Sequence, residues 1–192
     1  MRSGQRALCP SCQNTVVAHC GQIKAWHWQH LSGHDCDSWA EPLTEWHIVW
    51  QKYFARNKDA KTEEPITHSG ITHRADAVLW NGEGDIIELQ HSSISPYEIE
   101  ERERFYGKKL IWIFDVREAY SSKRFEFRKK DGNKRTFRWK QPWKSIAFAK
   151  RRVFLDLGDG YMFQLSKLYP DAPCGGFGIL HLSFRVESET LL

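Results

Sequence analysis

The sequence predicts an α/β (α+β) fold in which an αββαβ core follows an N-terminal Cys/His zinc-binding module and precedes a strand-rich C-terminal extension. Three observations predict it. Four of the five cysteines lie within the first 36 residues, helical and strand patterns alternate over residues 41–118, and residues 119–192 are basic, aromatic and strand-like. A chain of 192 residues has room for one sizeable core and a small additional module. We therefore expect domains at residues 1–40, 41–118 and 119–192.

The N-terminal module carries a metal-ligand pattern. Cys9 and Cys12 have the CxxC spacing that lets two thiolates of one tight turn bind the same tetrahedral Zn²⁺, and a later His and Cys complete a Cys₃His set. We favour His30 and Cys36, with His27 as the alternative to His30. The competing interpretation is a group of unliganded buried thiols. A segment so poor in aliphatic residues needs a structural metal in order to fold.

The core begins with an amphipathic helix over residues 41 to about 56. Pro42 suits the first helical turn, where its missing N–H is not needed. Glu45 and Lys52 are seven residues apart and share one face, whereas His47 points elsewhere.

A hairpin follows, with strands predicted at 71–80 and 85–91. Alternation along the first strand places Asp76 on one face together with Arg74 and Val78, and its sequence neighbours are Ala75 and Ala77. On the second strand it places Glu88 and Gln90 on one face.

The sequence predicts both ends of the second helix. Ser95 is the N-cap, Pro96 occupies the first helical position, Glu98 completes a capping box and Gly107 ends the helix. The apolar run 110–114 then predicts a strand buried on both faces.

The chemistry of the core depends on its two strand acids. Asp76 and Glu88 would bring two carboxylates together, with the amide of Gln90 beside them. Oxygen ligands of this kind suit Mg²⁺ or Mn²⁺, which lower the pKa of bound water and stabilise a leaving oxygen. This is the chemistry of phosphodiester hydrolysis. The competing interpretation is a solvated hairpin surface, which acids set among apolar strand residues make less expected.

Positive charge is concentrated in one tract, Ser121 to Arg152, which holds 13 Lys and Arg against 2 Asp and Glu, while the rest of the chain holds 15 against 22. Such a tract fits a nucleic-acid surface, and we expect four residues in it to contact DNA phosphates: Lys129, Lys130, Lys134 and Arg135. Six aromatic residues interleave with the charges, either as base-stacking groups or as buried core: Phe125, Phe127, Phe137, Trp139, Trp143 and Phe148. The sequence favours neither interpretation.

Several classes of protein are disfavoured. The sequence has no Walker A loop, nucleophile elbow, GxGxxG or HExxH motif. No apolar run approaches the ~18 residues of a membrane helix, and the N-terminus lacks a signal core. We expect a cytoplasmic protein without a membrane partner.

The order of elements and the D…ExQ residues resemble the PD-(D/E)xK, or restriction-endonuclease-like, nuclease fold. Over residues 9 to 115 the chain looks like the CoiA-like competence nuclease family. That resemblance rests on Cys9-Pro10-Ser11-Cys12, His27-Trp28-Gln29-His30, Glu45-Trp46-His47 with Lys52, His73-Arg74-Ala75-Asp76, Glu88-Leu89-Gln90-His91-Ser92 with Ile94-Ser95, and Arg102 with Tyr106. It implies a metal-dependent nuclease associated with DNA uptake or processing, also found in phage-like contexts.

Carried over to this chain, the resemblance implies that Asp76 and Glu88 hold the catalytic Mg²⁺ or Mn²⁺ and that Glu45 approaches it from the helix. Gln90 would occupy the position of the motif lysine, where it cannot supply a positive charge. Either the metal alone activates water or Lys52 contributes from the helix; the competing interpretation, which we favour, is that Lys52 is an exposed helix residue.

Two further residues, His73 and Arg74, either contact the scissile phosphate or form a surface pair on an edge strand. The leading interpretation is a metal-dependent deoxyribonuclease with a structural zinc. The alternatives are a catalytically inactive zinc-containing nucleic-acid-binding protein and a phage or plasmid protein-interaction factor on a nuclease-like fold.

Overall fold

A computed structural model of the chain describes residues 2–21, 26–31, 36–39, 43–56, 59–80, 84–172 and 175–185. The N-terminal part is a small antiparallel sheet of β1 (Arg6–Leu8), β2 (Thr15–His19) and β3 (His27–His30), in the order β1-β2-β3. The larger part is a mixed α+β structure, rich in strands and with few helices.

The first half of the larger part contains two helices and four strands. They are α1 (Glu45–Ala55), β4 (Ala60–His68), β5 (Ile71–Leu79), β6 (Asp85–Gln90), α2 (Pro96–Tyr106) and β7 (Leu110–Asp115). The second half adds α3 (Arg117–Ser121), β8 (Phe125–Asp131), β9 (Lys134–Trp139), β10 (Arg152–Asp156), β11 (Tyr161–Tyr169) and β12 (Gly176–Arg185), with 3-10 turns at Gly107–Lys109 and Lys144–Phe148.

All nine strands from β4 to β12 belong to one sheet, in the order β4-β5-β6-β7-β10-β11-β12-β9-β8. Strands β6, β7 and β10 run parallel to one another, and the other neighbouring strands are antiparallel. The boundary expected at residue 118 lies inside this continuous sheet, because β10 pairs directly with β7.

The helices pack on opposite faces of the sheet, which explains why its central strands are apolar throughout. On β7, Ile111 and Ile113 face the cluster that includes Trp50 of α1, whereas Trp112 and Phe114 face the cluster beneath α2. Alternating side chains of a strand point to opposite faces, so all the side chains of a strand covered on both faces are buried, and most of them are apolar. The buried strand predicted at 110–114 is confirmed.

The ends of the helices follow local sequence. In α2 the Ser95 side chain accepts from the Glu98 N–H and Pro96 starts the helix, as predicted. In α1 the N-cap is Thr44, so the helix begins later than the predicted start; residues 41 and 42 lie outside the described part of the chain. The strand-like segments on either side of Gly158 form the antiparallel pair β10 and β11.

The αββαβ order predicted for the core lacks one strand, β4, so the observed order is α1-β4-β5-β6-α2-β7. This strand, AKTEEPITH, was missed because it carries three charged residues and Pro65. It lies at the edge of the sheet, where proline is tolerated because one side of the strand has no neighbour to receive a backbone hydrogen bond.

The aromatic residues of the basic tract mostly belong to the core. Phe125, Phe137 and Trp139 are each 1% exposed, so of the two interpretations left open for the aromatic residues, the core interpretation is the correct one for these three. Strand pairing of β9 with β12 places them against the rest of the large hydrophobic cluster. Phe148 is exposed, and two other members of the tract are partly buried against the same cluster, Phe127 and Trp143.

Among the described residues, no helix has both the length and the apolar character needed to cross a membrane.

Candidate functional site

Two carboxylates meet where β5 and β6 separate. The ladder between the strands ends at Ala77↔Ile87, and beyond it the Asp76 side chain replaces a backbone partner, with Oδ2 accepting from the Leu89 N–H at 2.7 Å. Burial, followed by the negative charge of Glu88, raises the pKa of Asp76 well above its ordinary value. A carboxyl group with a raised pKa has a strong affinity for a proton, or for a metal cation that replaces the proton.

Glu88, on β6, is 4% exposed and forms a buried ion pair with α2. Its Oε2 accepts from Nη1 of Arg102 at 2.9 Å. Its Oε1 is buried and has no hydrogen-bond partner among the described residues. Burial raises the pKa of Glu88 to about 7, although Arg102 and the Tyr106 hydroxyl act in the opposite direction. Arg102 therefore holds one oxygen of Glu88 in place, while the other makes no close hydrogen bond among the described residues.

The two acids line a small cavity of about 50 Å³, which has room for roughly three to five water-sized groups. Its volume suits a hydrated cation better than an organic ligand. The lining residues come from the segment before α1 and from α1, β4, β5, β6 and α2: Trp39, Leu43, His47, Glu63, Arg74, Asp76, Glu88, Leu89 and Arg102.

His47 lies on a different face of α1 from the exposed Glu45 and Lys52, as expected, and it is His47 that lines the cavity, which was not predicted. Its Nε2 donates to the Leu89 carbonyl at 3.0 Å, and its Nδ1 lies 2.8 Å from the Thr44 hydroxyl in the capping box of α1. The imidazole thus fixes the start of α1 against the strand residue whose N–H holds Asp76. The Thr44-x-x-His47 spacing is the sequence signal that could have found it.

The other residues expected at the site lie outside the cavity. Glu45 is exposed in the first turn of α1, and Lys52 is exposed two turns further along the same helix. Gln90 is fully buried and does not line the cavity; its Nε2 donates to the Ser92 carbonyl at 3.1 Å. The cations that do line the cavity are Arg74 and Arg102.

The neighbours His73 and Arg74 have different environments. His73 is 8% exposed, so the expectation of a surface pair is wrong for it. Its Nδ1 donates to Asp37 at 2.7 Å. The Nε of Arg74 contacts Glu63 at 2.6 Å, and the flanking strand pairs place Glu63 opposite Asp76. Glu63 adds negative charge near Asp76, and its ion pair with Arg74 partly offsets that charge.

The N-terminal module brings Cys9, Cys12, His30 and Cys36 together, the four residues favoured from the sequence. Their ligand atoms all lie within 4.8 Å of one another. The Sγ atoms of Cys9 and Cys36 are 3.7 Å apart, close to the separation of about 3.8 Å that two Zn–S bonds of 2.3 Å give at a tetrahedral angle. His27 stacks on His19 and is not part of the group.

The pKa values of two thiols in this group, Cys9 and Cys36, are shifted in opposite directions. Burial would raise the pKa of Cys9, but backbone N–H groups of Cys12 and Ser11 prevail and lower it to about 6. Burial and the neighbouring thiols raise the pKa of Cys36 to about 12. Gathering the sulfurs so closely thus favours one thiolate and opposes a second, and a cation among them removes that conflict.

The basic residues expected to contact DNA lie on the hairpin of β8 and β9, at the far end of the sheet order from β5 and β6. Lys129, Lys130 and Lys134 are exposed, whereas Arg135 is partly buried and donates to backbone carbonyls of Gly132 and Lys134. Four strands separate this hairpin from β6 in the sheet.

Comparison with known families agrees with this arrangement of a nuclease-like core behind a Cys/His module. A model of the nuclease-like domain of competence protein CoiA matches residues 50–169, and a model of the N-terminal domain of competence protein CoiA matches residues 1–38. The chain therefore belongs to the competence protein CoiA family. The nuclease-like match continues well beyond residue 115, where the resemblance seen in the sequence ended. No curated protein and no solved structure matches the chain.

Proposed function

We propose that the protein is a Mg²⁺- or Mn²⁺-dependent deoxyribonuclease on a restriction-endonuclease-like core, with Asp76 and Glu88 as the metal ligands. The observation that carries the proposal is the buried Oε1 of Glu88, which has no close hydrogen-bond partner among the described residues and lies beside a second carboxylate in a small cavity. A buried oxygen left without a donor is costly, and a metal cation removes that cost.

The donor set fits a hard divalent cation. Mg²⁺ is commonly bound by one or two carboxylates and completes its shell with water and substrate phosphate. Two carboxylates with raised pKa values, in a cavity with room for a few waters, meet this description. The bound metal would lower the pKa of a water and stabilise charge on the leaving oxygen.

Hydrogen bonds from neighbouring residues fix the positions of the two carboxylates. Arg102 fixes one oxygen of Glu88, the Leu89 N–H fixes one oxygen of Asp76, and His47 holds the Leu89 carbonyl. Because Gln90 donates to Ser92, we assign it a structural role, and we assign contact with the scissile phosphate to Arg74.

DNA is the substrate we propose. The exposed lysines of the β8–β9 hairpin would neutralise phosphates distant from the cleft, and Arg74 would contact phosphate within it. His73 is buried, so we expect it to affect the site only through the residues it contacts. Glu45 and Lys52 are exposed on α1, and they remain candidates for contacts with the substrate. Zn²⁺ in the Cys₃His group has a structural role, and its need for reduced thiols supports a cytoplasmic location.

Cleavage assays with purified protein test the proposal. Circular, linear, single-stranded and branched DNA are incubated with Mg²⁺, Mn²⁺ or EDTA, using the wild type, Asp76→Asn and Asp171→Asn. Asp171 is exposed and provides the matched control. We expect metal-dependent cleavage by the wild type and the control, and none by Asp76→Asn.

The alternatives give different results in the same assay. DNA binding without cleavage under every condition would indicate a catalytically inactive nucleic-acid-binding protein. Neither binding nor cleavage would favour a protein-interaction factor.

A further inference from the structure

The zinc ligand Cys36 is followed at once by a residue that is anchored in the core. Asp37 is 5% exposed. Its Oδ1 accepts from His73 Nδ1 at 2.7 Å and from the Trp39 N–H at 2.9 Å, and its Oδ2 accepts from the Arg74 N–H at 2.7 Å. Burial opposes the negative charge of Asp37, but these donors prevail and lower its pKa. The carboxylate thus attaches the N-terminal module to β5, two residues before Asp76.

Trp39 attaches the same segment to α2. Its ring stacks on His73 at a centroid distance of 3.3 Å and contacts the edges of Phe105 and Tyr106. Its backbone carbonyl accepts from Nη2 of Arg102 at 3.3 Å. The other terminal nitrogen of Arg102 holds Glu88.

An unbroken series of contacts therefore joins the Cys₃His group to two carboxylates of the cavity, Asp76 and Glu88. One branch runs from Cys36 through Asp37 to β5 and Asp76. The other runs through Trp39 and Arg102 to Glu88. Consecutive Cα atoms are 3.8 Å apart, so a displacement of Cys36 is passed directly to Asp37.

We propose that Asp37 and Trp39 are positioning residues for the metal-binding carboxylates, and that the Cys₃His group keeps them in place. The role of the module is then to complete the cavity, in addition to stabilising its own fold. This inference rests on the proposed function for the identity of the carboxylates' ligand, but the connection between the two sites does not depend on catalysis.

The test measures Mn²⁺ affinity by calorimetry and backbone protection by hydrogen exchange, on the full chain loaded with zinc. The variants are Asp37→Ala, the conservative Asp37→Asn and Trp39→Ala, with Trp28→Ala as control. Trp28 is an exposed tryptophan of the same module, 42% exposed on β3. The zinc content of every variant is determined so that loss of the Cys₃His site is recognised.

Removal of a group that orients a metal ligand lowers metal affinity by about 10- to 100-fold, and we expect Asp37→Ala and Trp39→Ala to fall in that range with zinc retained. Asp37→Asn should lose less because an amide oxygen still accepts from a backbone N–H. Peptides covering β5, β6 and α2 should exchange faster in Asp37→Ala, whereas Trp28→Ala should match the wild type in both measurements.

Two failures are distinguishable. If the wild type binds no Mn²⁺ while Asp37→Ala still loosens β5 and α2, the proposed function fails and the positioning role stands. If Asp37→Ala and Trp39→Ala retain wild-type Mn²⁺ affinity and exchange, the positioning role is overturned whatever the enzyme does.

Discussion

The buried ion pair between Arg102 and Glu88 gives the sharpest prediction about stability. Both side chains are 5% exposed, and their atoms are 2.9 Å apart. Arg102→Met leaves a carboxylate buried without its charged partner. Such a loss typically costs about 3 to 5 kcal/mol, much more than the pair itself contributes relative to apolar residues. Glu88 can take up a proton instead of staying charged, and its pKa in the wild type is already about 7. We therefore expect the unpaired charge to lower the free energy of unfolding by no more than about 1 kcal/mol at pH 8 in the absence of divalent metal, since one pH unit corresponds to roughly that much.

The dependence on pH identifies the cause. The pKa of Glu88 in the folded protein is already raised to about 7 from 4.5, and removing Arg102, which lowers it, raises it further. Between pH 4.5 and that higher pKa, the folded state holds more protons than the unfolded state, so stability falls as pH rises. The deficit of Arg102→Met should therefore be the same from pH 5 to about pH 7, where both proteins hold the Glu88 proton, and should grow above pH 7, by about 1 kcal/mol at pH 8.

Urea unfolding followed by tryptophan fluorescence at pH 5 and pH 8 measures both effects. Arg104→Met is the matched control on the same helix, because Arg104 and Glu100 are 69% and 60% exposed and such a pair contributes at most about 0.5 kcal/mol. Adding Glu88→Gln to Arg102→Met should restore roughly half of the lost stability at pH 8, since the unpaired charge is gone. A deficit equal at the two pH values, or one no larger than that of the control, would show that a buried, unpaired Glu88 charge is not the cause.

The remaining predictions concern the two metal sites and the basic hairpin. Asp76→Asn should abolish Mn²⁺ binding and raise the metal-free melting temperature at pH 7, because the raised pKa of Asp76 shows that its charge is disfavoured in the fold; a lower melting temperature with intact Mn²⁺ binding would contradict this. Affinity for Mn²⁺ should weaken as pH falls below about 7, where Glu88 takes up a proton, and a titration series from pH 5.5 to 8 with no trend would oppose the assignment. Elemental analysis should find close to one zinc per chain, lost together with thermal stability when Cys9 and Cys12 are both changed to Ser; a well-folded, zinc-free wild type would identify ordinary thiols. Replacing Lys129, Lys130, Lys134 and Arg135 with Ala should flatten the slope of log K for duplex DNA against log salt concentration by about 0.9 for each phosphate that is no longer neutralised. An unchanged slope would place the DNA path elsewhere.

Features that depend on near neighbours in the chain were predictable. The cap of α2 at Ser95 involves hydrogen bonds across three residues, and the CxxC of Cys9 and Cys12 forms within one turn. The continuous apolar run of β7 identified a strand covered on both faces. These features follow from backbone geometry and periodicity, which a short window of sequence already contains.

The edge strand β4 and the buried aromatic residues of the basic tract were not predictable in this way. The polar sequence of β4 lacks the pattern of a buried strand because only one of its edges is paired. The position of Trp139 is decided by the pairing of β9 with β12, a strand that begins 37 residues after it. Contacts at such separation depend on how the whole sheet assembles.

The chemical types at both candidate sites were already present in the sequence: two strand acids, and three thiols with an imidazole. Their partners became known from the folded chain, since Arg102 on Glu88, His47 beside Leu89 and Asp37 on His73 each join different elements. This difference arises because a residue's type fixes which interactions it can make, whereas burial and the packing of distant segments fix which of them it does make.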